Sequence, residues 1–261
     1  MKKIINNQSN SQSRASCFIG LGCLLATFAT ATPSSTFWAP STALCQAWGV
    51  PHLSYDSYFA RQSDYPTDVG LTMGVLPFEK VQGEIGVDLL YPSQDPLYLS
   101  AKICTPESTF FQEAPSLGIG VYNMGTHKNS SDYNILYGVL QKTIPQWGVS
   151  LSIGFYHGLN KTLLTNSDGR IVQNGFIGAI VSPDIQFNLL GLKKINFVAD
   201  IQTGKNVLGA WGFGSNLYFS DYVSLLTGPV FFFDKKAQPG GKGFFWTLQL
   251  DVDIPLDSIK K

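Results

Sequence analysis

Residues 246–254 read Trp246-Thr247-Leu248-Gln249-Leu250-Asp251-Val252-Asp253-Ile254. Trp246, Leu248, Leu250, Val252 and Ile254 alternate with Thr247, Gln249, Asp251 and Asp253. Successive side chains of a strand point to opposite faces, so a period of two marks a strand with one apolar and one polar face. A helix would scatter the same residues around its circumference.

The pattern recurs along the chain. Over 80–91, Val81, Ile85, Val87, Leu89 and Tyr91 oppose Lys80, Gln82, Glu84 and Asp88. Over 96–104, Leu97, Leu99, Ala101 and Ile103 oppose Tyr98, Ser100 and Lys102. Over 147–157, Val149, Leu151, Ile153 and Phe155 oppose Ser150, Ser152, Gly154 and Tyr156. Over 194–202, Ile195, Phe197, Ala199 and Ile201 oppose Lys194, Asn196, Asp200 and Gln202. Further strands are expected to begin near Trp48, Asp68, Pro115, Tyr133, Asn174, Val207 and Tyr222. Those near Tyr133, Asn174 and Tyr222 alternate poorly, and neither face is assigned. The count is about twelve strands of ~9–12 residues, the length a tilted strand needs to cross a bilayer.

Connections alternate in character. Leu76-Pro77-Phe78, Pro145-Gln146 and Ser220-Asp221 are short links, whereas 60–66, 126–132, 158–173 and 234–243 are longer or more polar. Two links break the rule, a long one at 105–114 and a short one at Gly204-Lys205. Short turns at one end and long loops at the other fit a barrel in the outer membrane. Alternation alone also fits a soluble sandwich. Two features favour lipid. The polar face is rich in small residues (Gly70, Gly74, Gly118, Gly120, Gly154, Gly212, Gly214), as a crowded lumen requires. Aromatics gather at segment ends (Trp48, Tyr58, Tyr91, Trp147, Tyr218, Phe219, Tyr222, Phe231-Phe232-Phe233), as interfacial girdles do. A closed barrel also satisfies its backbone in lipid without water.

The N-terminus reads as an export signal. Lys2, Lys3 and Arg14 precede an apolar stretch from Cys17 to Ala29, and small residues end it at Ala29-Thr30-Ala31. The stretch is too short to stay as a spanning helix. Cleavage after Ala31 leaves 15 basic against 18 acidic residues, a formal charge of −3. No clustered basic surface remains for nucleic acid. Cys45 and Cys104 stay in the exported chain, where an oxidising compartment permits pairing. Connectivity does not follow from sequence, and two free buried thiols are the favoured expectation over a bridge.

Trp38-Ala39-Pro40-Ser41-Thr42, the run from Val69 to Val81, Ser224-Leu225-Leu226-Thr227-Gly228-Pro229-Val230 and the closing run from Trp246 to Asp253 resemble porin-like outer-membrane β-barrels of Gram-negative bacteria. The resemblance spans most of the exported chain. It implies residence in outer-membrane lipid and insertion by the barrel assembly machinery, and it assigns no activity. Such barrels often end on an aromatic residue of the last strand; this chain continues from Pro255 to Lys261.

The predicted architecture is therefore all-β: an antiparallel transmembrane β-barrel of about 12 strands, preceded by a signal peptide. Residues 1–31 are the signal, 32–46 an N-terminal segment, 47–254 the barrel and 255–261 a C-terminal extension. No catalytic motif stands out. His52, His127 and His157 show no HExxH spacing, and no G-x-S-x-G occurs. Only His127-Lys128-Asn129-Ser130 and Tyr156-His157-Gly158 offer a place for a Ser–His hydrolase. No enzyme activity, cofactor or metal is expected. The constellation with physical content is the lumen, lined by Lys80, Gln82, Glu84, Asp88, Lys102, Lys194, Asn196, Asp200, Gln202, Gln249, Asp251 and Asp253. Charges enclosed there need water or partners. They either line a wet path that selects ions or pair across the lumen and fill it. The leading expectation is a passive, low-selectivity channel for small hydrophilic solutes. The alternatives are a non-conducting barrel whose loops at 158–173 and 234–243 bind a partner, and a surface lipid hydrolase.

Overall fold

The computed structural model describes residues 35–60 and 66–256. The expected signal peptide and residues 257–261 of the C-terminal extension lie outside the described residues. Thirteen strands form one antiparallel sheet: β1 Pro51–Phe59, β2 Thr67–Gly74, β3 Gln82–Tyr91, β4 Leu97–Thr105, β5 Ser116–Gly125, β6 Asp132–Ile144, β7 Val149–Gly158, β8 Asn174–Val181, β9 Ile185–Leu189, β10 Leu192–Gln202, β11 Ala210–Tyr218, β12 Val223–Phe232 and β13 Phe244–Asp253.

The sheet closes on itself. β1 pairs with β13 from His52↔Asp253 to Phe59↔Trp246 as regularly as it pairs with β2. β8 and β9 occupy one position beside β10. β8 pairs with β10 from Ile177↔Gln202 to Val181↔Val198, and β9 continues the line with Ile185↔Ile195. Ser182, Pro183 and Asp184 separate them, and proline has no N–H to give the ladder. The result is a closed barrel of twelve positions. Each of the twelve expected starts lies within three residues of an observed one. β9, which alternates Ile185, Phe187 and Leu189 with Gln186 and Asn188, went unread as a separate strand.

The apolar face points outward. Val81, Ile85, Leu99, Ile103, Ile153, Leu248 and Leu250 are all exposed, while Glu84, Lys102, Gln249 and Asp251 are buried inside. A soluble protein would reverse this arrangement, because exposed apolar surface on that scale has no place in water. The chain is a transmembrane barrel. Exposed Trp48, Phe78, Phe110, Trp147 and Phe219 mark the end with short turns; exposed Phe59, Tyr91, Phe176, Phe233 and Phe244 mark the end with long loops. Three residues expected in these girdles turn inward instead, among them Phe232, which packs edge-on against Trp38 inside the barrel. Tyr218 is buried, and Tyr58 shares the inner face of β1 with His52 and Asp56 and lines the lumen.

Candidate functional site

The barrel is not empty. Residues 35–47 cross the lumen from the long-loop half to the short-turn rim, where Trp48 bridges Gly74 of β2. At the upper level Oδ2 of Asp200 on β10 accepts the backbone N–H groups of Phe37, Trp38 and Ala39 at 2.9, 2.7 and 2.8 Å, and the Thr36 hydroxyl. Three successive N–H groups around one oxygen form an anion-binding nest. Enclosing a carboxylate costs several kcal/mol, and these charge-assisted bonds offset that cost. Trp38 Nε1 donates to the Leu208 carbonyl at 2.8 Å, and Gln249 Nε2 on β13 donates to the Phe37 carbonyl at 2.8 Å.

Lower down, Gln141 Oε1 on β6 accepts Ala43 N–H and the Thr42 hydroxyl, each at 3.0 Å. Glu84 Oε2 accepts Gln46 N–H at 2.6 Å, while its Oε1 lies 3.2 Å from Lys102 Nζ. Gln46 Nε2 donates to Asp253 Oδ1 at 2.8 Å. Cys45 is joined covalently to Cys104 on β4. This corrects the expectation of free thiols: the segment carries Cys45 to the inner wall, and the Cα atoms stand 5.9 Å apart, within bridging range.

The wall is shaped to receive the segment. A Cβ on Gly212 would lie 2.5 Å from the Phe37 ring, one on Gly214 2.6 Å from it, and one on Gly118 3.1 Å from Ala43 Cα. Phe37 packs with Val198, Ala210, Leu226 and Val230. Ala39 and Ala43 pack with Ile135, Val139, Tyr156 and Ile177. β6, β8 and β12 are therefore largely apolar on both faces, one toward lipid and one toward the segment, with Gln141 and Ser224 as the buried polar exceptions. That is why they alternate poorly.

The expected lumen residues thus separate into groups. Glu84, Asp200, Gln249 and Asp253 hold the segment, and Lys102 braces Glu84. Asp251 Oδ1 lies 3.3 Å from His52 Nε2, whose Nδ1 is 2.9 Å from Asp253 Oδ1. Gln202 Oε1 accepts the Tyr122 hydroxyl at 2.9 Å. Lys194 pairs with Asp184 at 2.8 Å and sits over the Tyr218 ring, and Asn196 donates to Asp184 at 3.0 Å. Gln82 is half-buried at the start of β3, and Asp88 faces open lumen. Lys80 is exposed in the link between β2 and β3, short of the strand, because β3 begins at Gln82.

Two chambers flank the segment. One, of about 450 Å³, reaches the long-loop end at Pro66 and Pro239 and is lined by Trp38, Asp56, Asp68, Asp88, Tyr98 and Asp251 among others. The other, of about 160 Å³, lies toward the short-turn end and is uncharged, with Thr42, Gln141, Ser150, Ser152 and Asn216 in its wall. Asp56 and Asp68 were missed by the sequence reading. The signal was present: both alternate with outward residues, Tyr55 on β1 and Val69 on β2.

The loops carry one further constellation. His127 Nδ1 lies 2.8 Å from Asp95 Oδ1, and the Ser130 hydroxyl bonds the other oxygen of Asp95. The serine therefore meets the carboxylate and not the ring, which is not the relay a nucleophilic serine needs. His157 Nδ1 contacts Asn174 Oδ1 at 2.6 Å. Among the described residues no group of three His, Cys, Asp or Glu is disposed to hold a metal ion.

No family model matches the chain, and no curated protein matches it. Among solved structures it is similar in fold to the KdgM porin (10% identity, 78% of this chain and 99% of that one, TM-score 0.47). It is also similar to the NanC porin (7% identity, 77% and 98%, TM-score 0.48). An outer membrane channel from Pseudomonas putida is a third (11% identity, 78% and 94%, TM-score 0.42).

Proposed function

We propose that the protein is a passive outer-membrane channel for small hydrophilic solutes, of low selectivity, whose through-path is narrowed by residues 35–47. The observation that carries this reading is the pair of chambers on opposite sides of that one segment, the larger of them walled by several carboxylates. A barrel built only to fill membrane gains nothing from walls of ionisable groups, each of which costs energy to enclose. The short-turn end faces the periplasm and the long loops face outward, as in other outer-membrane barrels.

The segment is held by hydrogen bonds and one covalent bridge, so it limits flow without being part of the barrel wall. The test is planar-bilayer recording of the refolded chain beside a variant that carries Asp200→Ala, Cys45→Ser and Cys104→Ser. Discrete steps are expected from both, larger in the variant. Absence of steps from both would retire the channel reading in favour of a non-conducting barrel.

A further inference from the structure

The larger chamber holds more negative charge than its walls neutralise. Asp56 and Asp68 face each other directly across β1 and β2, and Asp88 lies beside them on β3, opposite Gly70. A Cβ on Gly70 would come within 2.6 Å of Asp88 Oδ1. The glycine therefore lets that carboxylate lie flat against the wall. Among the described residues that line the chamber, the positive groups are committed elsewhere, Lys102 to Glu84 and His52 to Asp251 and Asp253. Among the described residues no ion pair reaches Asp56, Asp68 or Asp88. Oδ1 of Asp56 and Oδ1 of Asp68 are enclosed atoms without a hydrogen-bond partner.

A second, independent signal comes from the β10 side of the lumen. Gln202 is 1% exposed and lines the same chamber. Its oxygen is used by Tyr122, while its Nε2 makes no hydrogen bond within 3.5 Å and has the Tyr156 hydroxyl as its nearest polar neighbour. A buried donor left so poorly satisfied is costly, and is answered by an acceptor brought from outside. Between the two walls stand Trp38, Leu90, Tyr98 and Phe232.

We propose that this chamber binds a linear organic cation with two or more ammonium groups and one oxygen acceptor. The carboxylates do not converge on a point, as a metal ion requires; cross-strand neighbours stand about 5 Å apart, a spacing suited to charges along a chain. The ammonium groups meet Asp56, Asp68 and Asp88 through charge-assisted hydrogen bonds. The methylenes lie against Leu90 and Phe232, Tyr98 and Trp38 offer ring faces to the cation, and the oxygen accepts from Gln202 Nε2. A volume of about 450 Å³ suits a ligand of that size. The inference deepens the channel reading by naming the solute class. Binding at equilibrium is nevertheless measured without conduction, so either can fail alone.

The experiment is isothermal titration calorimetry of the refolded, oxidised protein in detergent with monoacetylspermidine, which has two ammonium groups and an amide oxygen. Saturable one-to-one binding is expected, with none for the neutral chain 1,4-butanediol and weaker binding for calcium chloride. Asp56→Asn and Asp68→Asn should each weaken binding about tenfold or more, and Gln202→Leu should weaken it less. Asp221→Asn, in a turn at the other end, should leave it unchanged. Heat-modifiable gel mobility confirms that each variant is folded. No saturable binding to the folded protein, tighter binding of calcium, or equal loss in Asp221→Asn would each overturn the proposal.

Discussion

Oδ2 of Asp200 lies 2.7 Å from the backbone nitrogen of Trp38, a residue 162 positions earlier in the chain. That bond, with its neighbours on Phe37 and Ala39, turns a segment of no regular structure into the filling of a barrel. Replacing Asp200 by Ala leaves those N–H groups without their acceptor, each at a cost of about 1–3 kcal/mol where water cannot reach. The segment should loosen, and its residues should become cleavable by an added protease while the barrel stays intact. A segment as resistant as the wild type's would show that Asp200 is not its anchor.

The bridge between Cys45 and Cys104 closes a span of 59 residues. Bridges of that kind commonly contribute about 2–4 kcal/mol. A Cys45→Ser, Cys104→Ser variant should unfold at lower denaturant by that margin. In the wild type neither thiol should react with a maleimide until a reductant is added, and rapid labelling of the unreduced protein would count against the bridge.

Gly212 faces Phe37 with no space for a side chain. Gly212→Val should cost about 1–3 kcal/mol through overpacking. Much of that loss should vanish in the double variant with Phe37→Ala, because the clash partner is gone. Additive losses would mean that the two residues do not touch.

The two outer loops are tied by Asp234, whose Oδ2 accepts Ser167 N–H at 2.7 Å. Burial pushes this carboxyl up, but bonds from Ser167 and Lys236 and the nearby Lys205 charge outweigh it and hold it below the ordinary carboxylate range. A group with a depressed folded value stabilises the fold above its unfolded value, and that contribution fades as pH falls through the folded one. Protection of the Ser167 amide, taken as its exchange rate relative to the intrinsic rate at each pH, should therefore be high at neutral pH and be lost only in acid below the usual carboxylate range. Asp234→Asn should exchange faster at neutral pH and show no such acid step.

The outer surface makes its own demand. Ile153→Lys places a charge on the lipid face near the middle of β7, and such a change costs about 2–4 kcal/mol at the bilayer midplane. Unfolding from lipid vesicles should show the loss, and folding in detergent should show less of it.

Most of the barrel was legible because lipid and lumen impose opposite chemistry on neighbouring residues. Leu248 and Gln249 differ by one position and end on opposite faces of β13. Legibility failed where both faces are apolar. Ile177 of β8 and Leu226 of β12 face the segment, so little that is polar marks their inner side. The segment itself carries no period: Thr36-Phe37-Trp38-Ala39-Pro40 is held by partners such as Asp200 and Gln249, which lie far off in sequence. Its trace on the sequence is indirect, in the inner-face glycines Gly118, Gly212 and Gly214 and in the paired cysteines. Lys80 was misplaced for a simpler reason, since alternation does not say where a strand starts.

The most direct test is nitroxide labelling along β13 in lipid vesicles, at Thr247, Leu248, Gln249 and Leu250 in turn. Dissolved oxygen should relax the labels at Leu248 and Leu250 strongly and those at Thr247 and Gln249 weakly. Oxygen access that peaks at Thr247 and Gln249 instead would turn the barrel inside out and contradict the account.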